Sequence, residues 1–217
     1  MEIDPLILSF EVATIAMVVA GVIGVAIAAL LANYRFPGRH LVDVFFTAPM
    51  VMPPTVLGYY VLVALGTHSV LGRAYTAVTG SQIVFTKAGA VVAAVIGALP
   101  LVVKTVRTAV EEIDRTLVLA ARTLGATRIR AFLTIQLPLS YRGLVAALML
   151  AFARSLGDFG VTLMVAGDIP GETKTAALAI YDAIIGHRER DALSMIVVLT
   201  VIVSVLLYAA NKLTEKE

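Results

Sequence analysis

Residues 12–34 read VATIAMVVAGVIGVAIAALLANY, an unbroken run with no charged side chain. As a helix rising 1.5 Å per residue it would reach about 35 Å, enough to cross a hydrocarbon core of about 30 Å. A soluble core helix is usually half that length and keeps a polar stripe. The rest of the chain has the same character: 59% of its 217 residues are hydrophobic and 15% are charged, against roughly 25% charged in ordinary soluble domains. Mean hydropathy is +0.94. A water-soluble domain of this size needs more polar surface, so most of the surface must face lipid or other apolar helices.

Working outward, four further stretches are long and apolar enough to span. Val44 to Gly66 carries Pro49, Pro53 and Pro54. Ala88 to Val103 is bounded by Lys87 and Lys104, whose long stems can reach to the interface. Leu144 to Ala166 is apolar except for Arg154 and Asp158, and Ala192 to Asn211 is free of charge. The expectation is an all-α, polytopic membrane protein. It forms one transmembrane domain over 1–217, with spans near 7–34, 41–66, 84–108, 140–166 and 192–212 and a cytoplasmic loop at 111–138. Thr175 to Ile185 is apolar on one side and reads as an extracytoplasmic amphipathic helix. Met1 to Pro5 carries Glu2 and Asp4 and no basic run, so it does not read as a cleaved signal peptide.

Basic residues favour the cytoplasmic side. With the N-terminus outside, the inner segments hold Arg35, Arg39, Lys104, Arg107, Arg115, Arg122, Arg128, Arg130, Arg142, Lys212 and Lys216. The outer ones hold only Arg73, Lys87, Lys174, Arg188 and Arg190. N-terminus outside and C-terminus inside is therefore expected.

The segment Glu111 to Ser140 is unlike a plain linker. Glu111, Glu112 and Asp114 place acids in a first helical turn. A short helix through Thr116 to Leu124 follows, with Leu117, Ala120, Ala121 and Leu124 on one face. Gly125 suits the left-handed position that ends a helix, and Thr127 can cap a second helix running to Pro138. An apolar face projecting from the bilayer within an Arg-rich surround needs a partner.

Leu119-Ala120-Ala121-Arg122-Thr123-Leu124-Gly125 is followed nine residues later by Ile135-Gln136-Leu137-Pro138. This resembles the EAA loop of ABC importer permeases and departs from that pattern only at Leu119, where the pattern has Glu. Phe36-Pro37-Gly38, Pro53-Pro54 with Gly58-Tyr59-Tyr60, the run Phe152 to Gly160, and Ile169-Pro170-Gly171-Glu172-Thr173-Lys174-Thr175 are similar to the permease subunits of molybdate ABC importers. Asp158 stands where that family is expected to have Glu. Sulfate and tungstate permeases share the loop and the charged span, so the substrate rests on fewer residues than the class does.

The resemblance implies a type I ABC importer permease fold, about five transmembrane helices with a cytoplasmic coupling helix, and import of molybdate across the inner cell membrane. It implies that Leu119 to Ala126 (Leu119, Ala120, Ala121, Arg122, Thr123, Leu124, Gly125, Ala126) dock on a separate ATPase. The implied partners are a second copy of the chain, two ATP-binding-cassette subunits that bind ATP and Mg, an extracytoplasmic oxyanion-binding protein and membrane lipid.

Inside the membrane, Arg154 and Asp158 are four residues apart and can pair on one helix face. They either brace the bundle or lie near the gate of a transported oxyanion. Pro53 and Pro54, with Pro49, should kink the second span, for packing or to line a path. Gly89, Ala93 and Gly97, with Ala90, Ala94 and Ala98 beside them, suit close packing within one subunit more than a dimer seam. His68 and His187 stand alone without metal-ligand spacing and read as surface histidines. There is no Cys, no P-loop, no His-Glu-x-x-His and no Gly-x-Ser-x-Gly, so catalytic residues, cofactor and metal are all expected to be absent. Scattered aromatics make no nucleic-acid platform. A secondary transporter is disfavoured because no internal repeat occurs and only one charged pair sits in a span.

Overall fold

A computed structural model describes residues 4–214; Glu2 and Lys216, used above, lie outside the described residues. These residues form helices α1 (Asp4–Asn33), α2 (Arg39–Thr47), α3 (Pro54–Leu65), α4 (Val70–Thr79), α5 (Lys87–Glu111), α6 (Arg115–Thr123), α7 (Arg128–Ala131), α8 (Leu137–Leu139), α9 (Tyr141–Leu156), α10 (Gly160–Ala166), α11 (Ala176–Ile185) and α12 (Glu189–Thr214). Three of them, α1, α5 and α12, are each long and apolar enough to cross a membrane, and counting two bent pairs raises the number to five.

The core is built on α5. One face of α1, through Val12, Ala16, Ala20 and Ala28, packs on Ala90, Ala94, Ala98, Val102 and Val106 of α5, and Ala147 and Ala151 of α9 close the third side. Small side chains allow the backbones to approach, which in hydrocarbon replaces the missing hydrophobic drive between helices. A Cβ on Gly24 would lie 2.6 Å from Val102 Cγ1, and one on Gly21 would lie 2.6 Å from Leu148 Cδ2. The opposite face of α1, with Ile15, Val18, Val22 and Ile23, is exposed, as a lipid-facing surface should be. The stripe of small residues thus serves contacts inside one chain.

Where the sequence suggests one span over 41–66, the chain makes two helices that meet at 114°. A 3-10 turn over Ala48–Met50 ends the first helix, and Pro54 opens the second as its first residue. Proline is suited to that position because its missing N–H is one of the helix's unpaired donors anyway. The second bent pair is Arg128–Leu139 with Tyr141–Leu156, at 77°, and the stretch 140–166 is itself divided into α9 and α10, separated at 157–159. The third apolar helix runs past 108 to Glu111, because Lys104 and Arg107 pair with Asp43 of α2 and Arg107 also pairs with Glu111. Helix α11 packs against α12 and α1, and its N-terminus is pinned where Ala176 N–H donates to the buried Ser9 Oγ at 2.7 Å.

Gly24→Val is expected to push α1 off α5, at an overpacking cost of about 1–3 kcal/mol, and to lower the melting temperature in detergent. Val22→Leu, on the exposed face, should leave it unchanged.

Candidate functional site

Two places carry the candidate residues, at different levels of α5. Gly97 stands beside one, and Glu111, which ends α5, adjoins the other; fourteen residues of helix separate them by about 21 Å.

At the first level, Arg154 Nη1 donates to Asp158 Oδ1 at 2.9 Å. The expected pair exists, but Asp158 lies beyond the end of α9, in the break before α10. Its other oxygen accepts from Thr162 N–H at 3.0 Å and from Thr162 Oγ1 at 2.7 Å. Asp158 therefore caps α10 as well as neutralising Arg154. The Asp158 side chain is 2% exposed while that of Arg154 is 35% exposed. Room for the pair comes from Gly97, where a Cβ would meet Arg154 Nη2 at 3.4 Å and Asp158 Oδ1 at 3.6 Å.

Pro54 joins this cluster. A Cβ on Gly160 would lie 2.7 Å from Pro54 Cβ, and one on Gly58 would lie 2.7 Å from Met164 Cβ. The break in the second apolar stretch is thus seated on the break in the fourth, and Pro54, Arg154 and Asp158 come together around Gly97 and Gly160. Pro53 follows the 3-10 turn as the N-cap of α3 and is exposed.

The second level is the loop. Asp114, not the preceding acids, opens α6: its Oδ1 accepts from Thr116 N–H at 2.8 Å. That backbone hydrogen bond, then the Thr116 hydroxyl, holds the Asp114 carboxyl below its ordinary value. Glu111 and Glu112 belong to the end of α5, where a carboxylate meets the unfavourable pole of the helix; Glu111 is compensated by Arg107 at 2.9 Å and Arg39 at 3.4 Å. At the other end of α6, Ala126 N–H donates to Ala121 O at 3.0 Å and Gly125 N–H to Arg122 O at 3.1 Å. This is a Schellman closure, and Gly125 takes the left-handed φ of +90° it requires. Thr127 caps the next helix, its Oγ1 accepting from Arg130 N–H at 3.2 Å. That helix does not run evenly to Pro138, because Phe132–Gln136 widen into a π turn. The wider turn lets Pro138 follow without abutting the carbonyl four residues back. Ala131, Phe132 and Gln136 are buried and anchor the loop.

Within α6, Leu117 is 47% exposed, Leu119 57% and, at its C-cap, Leu124 89%. Val118 and Ala121 are half-buried, whereas Ala120, Arg122, Thr123 and Gly125 are exposed and Ala126 is half-buried. An apolar edge formed by Leu117, Ala120 and Leu124 therefore has no covering among the described residues.

Sequence reading missed a charge chain at the foot of the bundle: Arg39–Glu111, Glu111–Arg107, Arg107–Asp43 and Asp43–Lys104 at 3.4, 2.9, 3.0 and 3.4 Å. Its signal was opposite charges at matched helical spacing, Arg39 and Asp43 on one helix against Lys104, Arg107 and Glu111 on the other. The Ile169 to Thr175 run folds around Thr173, which is fully buried. Thr173 Oγ1 accepts from Ile169 N–H at 3.0 Å and donates to Gly167 O at 3.2 Å. His68 and His187 are exposed. Among the described residues no group of three or more His, Asp or Glu is placed to hold a metal ion.

Comparison with known proteins gives a consistent picture. The family described as "Binding-protein-dependent transport system inner membrane component" matches residues 20–216. The chain is 42% identical over 183 residues to the molybdenum transport system permease protein ModB of Escherichia coli (strain K12), covering 84% of this chain and 80% of that protein. It is 40% identical over 210 residues to ModB of Haemophilus influenzae, covering 95% and 92%. The inward-facing MetNI methionine ABC transporter superposes with a TM-score of 0.74 over 98% of this chain and 96% of that one, at 20% identity. The fold is that of a type I ABC importer permease.

Arg154→Ala should leave Asp158 short of one buried partner, at about 1–3 kcal/mol, and lower the melting temperature; Asp158→Ala should cost more because it also uncaps α10. For α6, amide exchange protection should be retained at pH above the ordinary carboxylate range. It should be lost as pH falls through the lowered Asp114 value, since a depressed acid stabilises only while ionised. Asp114→Asn should remove that pH dependence while keeping the cap, which hydrogen exchange across pH would show.

Proposed function

Because this chain belongs to the family of binding-protein-dependent transport system inner membrane components, we propose that it is the membrane-spanning permease subunit of an ATP-driven molybdate importer. The observation that carries this reading is the loop with its uncovered apolar edge, Leu117, Ala120 and Leu124, in a chain 42% identical to a molybdenum permease over most of both lengths. The chain itself is a non-catalytic, multi-pass inner-membrane subunit, and a partner ATPase binds ATP and Mg.

In this reading the N-terminus is outside and α6 faces the cytoplasm. Residues 119–126 seat in a cleft of the ATPase, and Gly125 sets the angle between α6 and α7. At Leu119 the general pattern has a carboxylate, so that docking lacks one polar contact here. Two copies pair about an axis along the membrane normal, since five spans are too few to enclose a solute path. Each copy contacts one of two ATPase subunits, and an extracytoplasmic binding protein delivers the anion. Closure of the ATPase pair moves the two loops together and exchanges inward- and outward-facing states, a population shift driven by differential binding.

Pro53, Pro54, Arg154 and Asp158 border the path at the joint of the two broken helices. Asp158 neutralises Arg154, whose side chain stays about one-third exposed (35%). A half-spent positive charge attracts a dianion without trapping it, which suits a path better than a tight site. The same pair braces α10, so its two roles are not exclusive.

Gly125→Val is expected to strain the turn by about 1–2 kcal/mol and to separate ATP hydrolysis from molybdate uptake in proteoliposomes while the spans insert normally. Unchanged coupling would contradict the docking role, and uptake by the permease without any ATPase would end the importer reading. Calorimetry on the cognate binding protein is expected to give tight molybdate binding; tight sulfate binding without a molybdate response would reassign the substrate.

A further inference from the structure

The face of α6 opposite its apolar edge also has a use. At about 100° per residue, Leu117, Ala120 and Leu124 fall within an arc of about 60°. Arg115, Val118, Leu119 and Arg122 fall on the opposite side, where they line a cavity of about 470 Å³ between α6, the end of α1 and the start of α2.

The cavity is strongly basic. Arg35, Arg39, Arg115, Arg122 and Arg128 line it with a single carboxylate, Glu111. Glu111 is engaged by Arg39 and Arg107. The Arg128 guanidinium lies 5.1 Å from the centre of the Tyr34 ring. Arg35, Arg115 and Arg122 form no ion pair among the described residues. Two buried polar atoms at the lining lack a hydrogen-bond partner there, Arg39 Nε and Gln136 Oε1, and Gln136 is only 7% exposed. A buried amide and a buried guanidinium N–H without partners are costly unless a ligand supplies them.

We propose that this cavity binds a phosphate-class oxyanion group, carried by an anionic phospholipid of the cytoplasmic leaflet. Guanidinium forks match the geometry of a tetrahedral oxyanion, and basic pockets between helices at this membrane face are where anionic headgroups lodge. The cavity sits at the end of α1, where Ala32 and Asn33 line it. It is far larger than a bare oxyanion and within the roughly 300–1,000 Å³ of ligand-sized pockets. On the face of α2 turned away from Arg39, Leu41, Val44 and Phe45 are exposed, an apolar surface along which acyl chains can lie. Bound there, the headgroup ties α1 and α2 to the back of α6 while leaving its apolar edge free. The orientation proposed above fixes only which leaflet supplies the lipid; the charge of the cavity does not depend on it.

The full-length protein is transferred from detergent into nanodiscs of phosphatidylcholine alone or with phosphatidylglycerol, and retained lipid is counted by native mass spectrometry. Preferential retention of phosphatidylglycerol is expected, falling roughly fivefold for each arginine removed in Arg35→Gln and Arg115→Gln, with Arg73→Gln on the other side unchanged. If the Arg35→Gln variant fails to accumulate, Arg115→Gln alone gives the same reading. In a second arm, inorganic phosphate and molybdate are titrated onto protein in phosphatidylcholine. A saturable rise in melting temperature that the same variants abolish would assign the site to a soluble oxyanion, the same chemistry from the other source. Equal retention of both lipids with no anion-dependent shift overturns the proposal. Neither arm uses ATP or transport, so this result and the importer reading can fail separately.

Discussion

A backbone amide in hydrocarbon has no water to turn to, so each interruption of a membrane helix must be repaired by some other group. This chain interrupts two apolar stretches and repairs them differently. At 51–53 the repair is by omission: Pro53 and Pro54 carry no N–H, while Val51 and Met52 donate to Ala48 O at 3.1 and 3.2 Å. At 157–159 it is by a side chain, Asp158, which takes the Thr162 N–H at the head of α10. The carboxylate that caps a helix there must itself be neutralised, and Arg154 does so. A charge pair that looks like an intrusion into a membrane span is thus partly a consequence of breaking the helix.

The two repaired breaks sit on each other, and glycine decides that contact. Gly160 accepts Pro54, Gly58 accepts Met164, and Gly97 leaves room for the guanidinium. In a core where apolar contacts gain little against equally apolar lipid, close approach of backbones is the available source of attraction. The joint consequently depends on missing side chains as much as on present ones.

Helix α5 connects this joint with the foot of the bundle. There the Arg39–Glu111–Arg107–Asp43–Lys104 chain fastens α2 to α5, next to the short turn into α6. In the proposed reading, a push on α6 meets a foot in which α2 and α5 are fastened by charge, and α2 continues directly into the broken joint. This gives a physically continuous route from loop to path, made of packed helices and ion pairs.

Much of this was legible in residue order. Uncharged runs of more than twenty residues demand lipid, the spacing from Ala120 to Pro138 marked the helix–glycine–helix loop, and Gly125 took the left-handed turn its position called for. Those features are local, fixed by solvent and by single-residue conformational preference. The tertiary structure alone decided that 41–66 bends by 114°, that Asp158 is a cap as well as an ion-pair partner, that Pro54 meets Gly160, and that five arginines distant in sequence share one cavity. Each of these depends on which helices are neighbours, and periodicity along one helix says which face is apolar without saying what will lie against it.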